Sequence, residues 1–196
     1  MSPFEYLLLF AAVILGLAIS ELALASHRLV SASDRVEWDW LSPMAATVIF
    51  LKIVTQWWSW YAAQFFPGGL RFEMFIAVVL GGVLLFLLSA TALPEARHDD
   101  GVLSLAKHYE RVQRRFWILF SIHWVIVTAV STWIQVEVGG AHFSPWSPIF
   151  LLAPASITLA FVRSRWLHTL ALMGLIWLYV GQFYGQQLVK LSGVEH

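Results

Sequence analysis

Three ionisable side chains stand in stretches of this chain that are otherwise apolar. Glu21, Lys52 and His123 each fall inside a long hydrophobic segment, where a charge costs about 2.5–3.5 kcal/mol to insert at membrane depth. A carboxylate, an ammonium and an imidazole brought together could hold and release a proton or an ion, since imidazole titrates near neutral pH. Gln56 lies one helical turn beyond Lys52 on the same face, so it extends a polar path from that point. At 1.5 Å of rise per residue, Glu21, Lys52 and His123 lie about 10, 13 and 12 Å from the ends of their segments. Three separate helices therefore bring them to one level. A structural reading competes: Glu21 and Lys52 form a buried ion pair that clamps two helices, while His123 bonds a neighbour. Lys52 alone could also snorkel to an interface. The first two readings both make Glu21 and Lys52 partners, and the expectation is that they pair.

The elements that must position these residues are membrane spans. Of 196 residues, 59% are hydrophobic and 12% charged, about half the charged share of an ordinary soluble domain. A helix needs about 20 apolar residues to cross a bilayer, and six such stretches are predicted: 4–25, 43–63, 72–93, 116–138, 145–162 and 166–189. Pro145, Pro148 and Pro154 interrupt the fifth, and Pro154 should kink it and free a carbonyl one turn back. Ala23-Leu24-Ala25 resembles a cleavage site, but Met1–Tyr6 contains Glu5 and no Lys or Arg, unlike the basic start of a signal peptide. The first stretch is therefore read as a span.

Loop charge gives the orientation. Arg28 and Arg35, then Arg97, Lys107, Arg111, Arg114 and Arg115, then Arg163 and Arg165 follow spans one, three and five. Only Arg71 and Lys190 lie on the other side. The positive-inside rule puts the nine in the cytoplasm and both termini outside. Most of the eleven Trp residues fit interfacial anchors, among them Trp38, Trp40, Trp57, Trp58, Trp60, Trp117, Trp133, Trp146 and Trp166. Trp124 and Trp177 fall deeper and are expected between helices. Trp40-Leu41-Ser42-Pro43 and Trp146-Ser147-Pro148 open spans two and five, a hint of a 3+3 inverted repeat. The chain reads as a single six-helix domain over 1–196, all-α, with a short basic cytoplasmic segment at 94–115 that runs helically into span four.

Other features point to packing or surfaces. Ala12, Gly16 and Ser20, like Gly181 and Gly185, form small-residue stripes suited to close helix approach. Glu73, Gln135, Glu137, Gln182, Gln186 and Gln187 gather at outer ends. Lys107, Arg111, Arg114 and Arg115 are candidates for lipid headgroup contact, at about 1 kcal/mol each near an anionic surface, although fixing topology is sufficient reason for them. His27 and His168 are placed at the inner surface, near His98 and His108, but no pair has ligand spacing. There is no cysteine and no intramembrane His-x-x-x-His or Ser/Lys pair. No catalytic residue, metal or cofactor is expected, and balanced charge gives no reason for nucleic-acid binding.

The run Leu15–Glu21 leading to His27-Arg28-Leu29, Gln56-Trp57-Trp58, Leu93-Pro94-Glu95, His108-Tyr109 and Arg114-Arg115-Phe116 resembles a group of small bacterial integral membrane proteins with no assigned activity. The likeness covers the first four spans. It implies a multi-pass protein of the bacterial inner membrane and supplies no active site. Together these readings predict a channel or transporter for a small ion, a proton or a small solute, surrounded by membrane lipid and forming a homo-oligomer. The alternative is a non-transporting accessory or scaffold subunit of a membrane complex.

Overall fold

The computed structural model describes residues 3–63, 72–94, 102–139 and 149–191, with side chains over 5–60, 72–94, 102–133, 136 and 150–182. Among these the chain is all-α apart from one small strand pair. The helices are α1 (Pro3–Ser31), α2 (Leu41–Ala63), α3 (Phe72–Ala92), α4 (Leu105–Gly139), α5 (Ile149–Leu159) and α6 (Arg165–Leu191). Three of them, α1, α3 and α4, are long and apolar enough to cross a membrane. α2 has the length but carries Lys52, Thr55, Gln56 and Ser59 in its second half.

α2 is the centre of the bundle and packs on α1, α3, α4 and α6; α1 also lies along α3, and α3 along α4. The first helix buries Leu7, Ala11, Leu15, Ala18, Leu22, Ala25 and Leu29, a stripe of alternating three- and four-residue steps that keeps one face inward. It continues past Ala25, and Ala25 and Leu29 pack with Leu93 and Leu105. The expected small-residue stripe does not make this contact: Gly16 and Ser20 are exposed, and a Cβ at Gly16 would meet nothing within 4 Å. Gly181 is likewise open. Close approach occurs instead at Gly82 of α3, where a Cβ would stand 2.9 Å from Ile14 Cγ2.

The ends of α1 and α3 meet the starts of α2, α4 and α6. Asp39 accepts the Leu41 N–H at 3.1 Å, covering one of the donors that the first turn of α2 leaves unpaired. Its other oxygen pairs with Arg165 at the start of α6, and Trp40 Nε1 donates to Thr169 Oγ1 at 3.2 Å. Ser42 Oγ donates to the Leu105 carbonyl. The parallel strands β1 (Val36–Glu37) and β2 (Leu103–Ser104) pair Val36 with Leu103 and Glu37 with Ser104.

From Leu105 the basic segment runs helically into span four, as expected: α4 is unbroken for 35 residues, about 52 Å and well beyond a 30 Å hydrocarbon core. The fifth stretch forms only an 11-residue helix around Pro154, about 16 Å long, and 145–148 lie outside the described residues. Hydroxyls cover the carbonyls around the proline: Ser121 bonds Ala153 O, Ser156 bonds Leu152 O and Thr158 bonds Pro154 O. The contact of Ser121 with Ala153, and of Arg114 with the Phe161 ring at 4.9 Å, makes α5 antiparallel to α4. Accordingly α6 begins at the same end as α4.

The Gly82 contact yields a test. Gly82→Ala should lower the unfolding midpoint in detergent by an amount equivalent to about 1–3 kcal/mol of overpacking, because the β-branched Ile14 has little room to turn. Gly16→Ala should leave the midpoint unchanged, and Ile14→Ala should recover part of the Gly82→Ala loss. Equal loss from both glycine changes would contradict the packing described.

Candidate functional site

Between α2, α3, α4 and α6 lies a cavity of about 300 Å³. It runs from Lys52 and His123 at mid-helix past Thr55, Gln56 and Ser59 to Ser131 and Gln182, towards the ends of α2, α4 and α6. Its position follows from helix phase. Lys52, Thr55, Gln56 and Ser59 step by three and four residues along one face of α2, while His123, Trp124, Val127, Val130 and Ser131 do the same on α4. Gly81 of α3 leaves the gap, since a Cβ there would lie 3.9 Å from both His123 Cε1 and Trp60 Cζ2.

Lys52 is the charge in this wall, only 5% exposed. Its Nζ sits 4.3 Å from the centre of the Trp124 ring, whose electron-rich face attracts a cation. The expected partner is elsewhere. No hydrogen bond or ion pair joins Glu21 to Lys52, and Glu21 does not line the cavity. On α1 it stands at the edge of the buried stripe, half-buried and about 80° around the helix from the stripe's centre. So the structure gathers Lys52, Gln56 and His123, and leaves Glu21 out.

The cavity wall holds unusual polar atoms. Gln56 Oε1, both ring nitrogens of His123, Trp124 Nε1 and Tyr179 OH are buried with no hydrogen-bond partner. The Gly81 backbone lies close to His123, and Tyr179 OH close to Trp124, but neither contact has hydrogen-bond geometry. Buried polar groups are nearly always paired. Four such side chains stand around one cavity. Thr55 and Ser59 are different, since their hydroxyls donate to the carbonyls of Lys52 and Thr55.

Below Lys52 the interior is closed by rings. Phe116, Trp117, Phe120 and Trp124 stack along α4, with Phe116–Phe120 centroids at 6.0 Å and Phe120–Trp124 at 6.3 Å. Trp117 is not an interfacial anchor as expected from its neighbour Arg115; it is fully buried. Its Nε1–H donates to His168 Nδ1 at 2.8 Å, and Tyr109 OH meets the same nitrogen at 2.8 Å. His168 Nε2 lies 2.9 Å from the Val162 carbonyl. A carbonyl only accepts, so Nε2 carries the hydrogen and Nδ1 is the acceptor. Its one lone pair is shared between the Tyr109 O–H and a Trp117 N–H that also donates to Tyr109 OH at 3.2 Å. His168 is thus a fully buried joint between α4 and α6, not a surface residue. Trp177 departs from expectation the other way, being 79% exposed on the outside of the bundle.

The remaining candidates are at the surface. Lys107, Arg111, Arg114 and Arg115 are exposed along the first three turns of α4. His108 Nε2 contacts the Thr91 carbonyl at 3.2 Å, and among the described residues no three of His, Cys, Asp and Glu gather as metal ligands. His98 and the side chains of Gln135, Glu137, Gln186 and Gln187 lie outside the described residues. Sequence reading placed Trp124 between helices, where it lies, but did not link it to Lys52, and it missed Tyr179 and the Tyr109–Trp117–His168 joint. The signal was the seven-residue spacing of Trp117 and Trp124, which puts them on one helix face. No family model, curated protein or solved structure matches the chain.

Two stability outcomes follow. His168→Leu removes the acceptor of the buried Tyr109 O–H and should cost about 1–3 kcal/mol, whereas Tyr109→Phe, which leaves Trp117 Nε1–H on His168 Nδ1, should cost less, as read by thermal unfolding. Glu21→Gln and Lys52→Met should act independently, with the double variant no more stable than the sum predicts. Rescue in that double variant would restore the ion pair that the geometry does not form.

Proposed function

We propose that this chain is a multi-pass protein of the bacterial inner membrane that passes a small ion or solute through the cavity at Lys52, Gln56 and His123. The observation that carries this reading is the cavity itself: about 300 Å³ at mid-helix, lined by Lys52, Gln56 and His123, with Lys52 lacking an opposite charge among the described residues. Ionisable residues in a membrane face cavities, partners or substrate paths, and a helix clamp would have left Lys52 paired and dry.

The chain crosses six times in this reading. α1 and α3 run one way, α2, α4 and α6 the other, and α5 lies in the fifth crossing. The nine loop charges assign the starts of α2, α4 and α6 to the cytoplasm, so the cavity faces outward and the Trp117–His168 joint closes it from within. An internal 3+3 repeat gains no support from packing, because α1 lies along α3 while α4 and α6 touch chiefly through the His168 joint. The exposed Gly16 and Gly181 are compatible with a homo-oligomer.

One observation favours the accessory-subunit reading instead. A groove of about 430 Å³ between α1 and α2, lined by Ile19, Leu22, Val30, Trp38 and Phe50, could receive a lipid chain or a partner helix. Flux separates the two. In proteoliposomes the wild type should raise the flux of at least one small ion or solute, and Gly81→Leu, which fills the cavity, should lower it to the level of empty liposomes. An inert wild type across protons, alkali cations and small anions would favour the accessory reading. For orientation, a C-terminal reporter active only in the cytoplasm should be silent, and a cysteine beside Arg163 should react with an impermeant reagent only in inverted vesicles. The reverse pattern would invert the topology.

A further inference from the structure

We infer that the ligand of this cavity is a small, singly charged anion. The inference rests on the cavity being a solute site, as proposed above, and names the chemistry of that solute.

The wall is charged in one sense only. Lys52 contributes an ammonium, and among the described residues no carboxylate lines the cavity or pairs with it. In its place Lys52 has the face of Trp124 at 4.3 Å, which attracts a cation but carries no net charge. The buried charge therefore lacks an opposite. A cation entering here would meet the ammonium in surroundings of low dielectric, where repulsion is far stronger than in water. It would also want several oxygen ligands, carboxylates among them, and among the described residues no carboxylate lines the cavity. A neutral solute would leave the charge as it is.

The unpaired hydrogen-bonding groups agree. Trp124 Nε1 can only donate. Tyr179 OH can donate, as can one nitrogen of His123, and all three side chains are at most 3% exposed. With the Lys52 ammonium, α2, α4 and α6 bring to one space side chains that carry donors, the groups that an anion's lone pairs require. One ammonium neutralises one charge, so a doubly charged anion would leave an excess at membrane depth. Ala77, Val78, Ile126 and Val127 add apolar surface to the lining, which suits either a weakly hydrated inorganic anion or the short tail of a monocarboxylate. When the site is empty, the Trp124 ring holds the ammonium in position.

Binding can be read apart from transport. The purified protein in detergent, at constant ionic strength, is unfolded by heat in choline acetate, lactate, chloride, nitrate or sulfate, and in sodium or potassium sulfate. At least one singly charged anion should raise the midpoint saturably, while sulfate and the two alkali cations should not. A response to acetate or lactate alone identifies a carboxylate site; a response to chloride or nitrate identifies an inorganic one. Tyr179→Phe should weaken half-saturation by about tenfold, the loss of one bond to a charged ligand. Lys52→Met should abolish the shift, and if that variant does not fold, Gly81→Leu should abolish it by filling the space. A shift that follows the cation, an equal shift with sulfate, a shift that survives Lys52→Met or Gly81→Leu, or no anion shift at all would overturn the inference. Cation flux without an anion shift would sink this inference and leave transport standing. An anion shift without any flux would do the opposite.

Discussion

An ammonium in apolar surroundings needs an opposite charge, a polarisable face or water, and Lys52 has the second and access to the third. Its helix stands at the centre of the bundle, in contact with α1, α3, α4 and α6, so the requirement is felt by most of the molecule. α4 must present Trp124 at the level of Lys52. α3 supplies a small residue at position 81, where a Cβ would just reach His123 and Trp60 and a large side chain would take up the space. α6 must bring Tyr179 into the same wall. Each of these is a packing concession, since cores otherwise fill to near crystal density, and together they leave a hollow where a simpler bundle would have leucines.

That hollow is offset by tight fastening at the other end. Asp39–Arg165, Trp40–Thr169, Ser42–Leu105, the two-residue strand pair and the Tyr109–Trp117–His168 joint all lie where α2, α4 and α6 begin. Helices in lipid gain little from apolar burial against one another and rely on close packing and hydrogen bonds. Polar joints at one end and a polar cavity at the other therefore divide the bundle into a fastened half and a half with room for a solute. The aromatic column from Phe116 to Trp124 runs from one to the other, so a change at Lys52 has a rigid route to His168.

Depth along a helix was legible from sequence and direction around it was not. A constant rise per residue places Lys52 and His123 at one level, and the structure puts them in one cavity wall. Glu21 was assigned the same level, but α1 is apolar on every side and offers no periodicity to say which face turns inward. The buried stripe passes through Ala18 and Leu22, one residue away from the glutamate. The same gap misplaced Trp117 and His168 as interfacial residues: both stand near charged loops, and only the facing helix reveals that they bond each other. The glycines repeat the lesson, because Gly16 sits in a recognisable stripe and touches nothing, while Gly82 in no obvious motif meets Ile14. The length of α5 was obscured by its prolines, which mark a helix start as readily as an interruption.

The central claim is that water reaches Lys52 from the side at which α2, α4 and α6 end, and not from the other. The chain has no cysteine, so single introduced thiols report without background. Ser131→Cys and Val127→Cys face the cavity, whereas Ser89→Cys replaces a buried hydroxyl bonded to the Leu85 carbonyl, away from it. With a small membrane-impermeant thiol reagent applied to spheroplasts, the first two should be modified and the third should not, and none should be modified in inverted vesicles. Protection of Val127→Cys and Ser131→Cys from both sides would mean a dry interior, and would contradict the account.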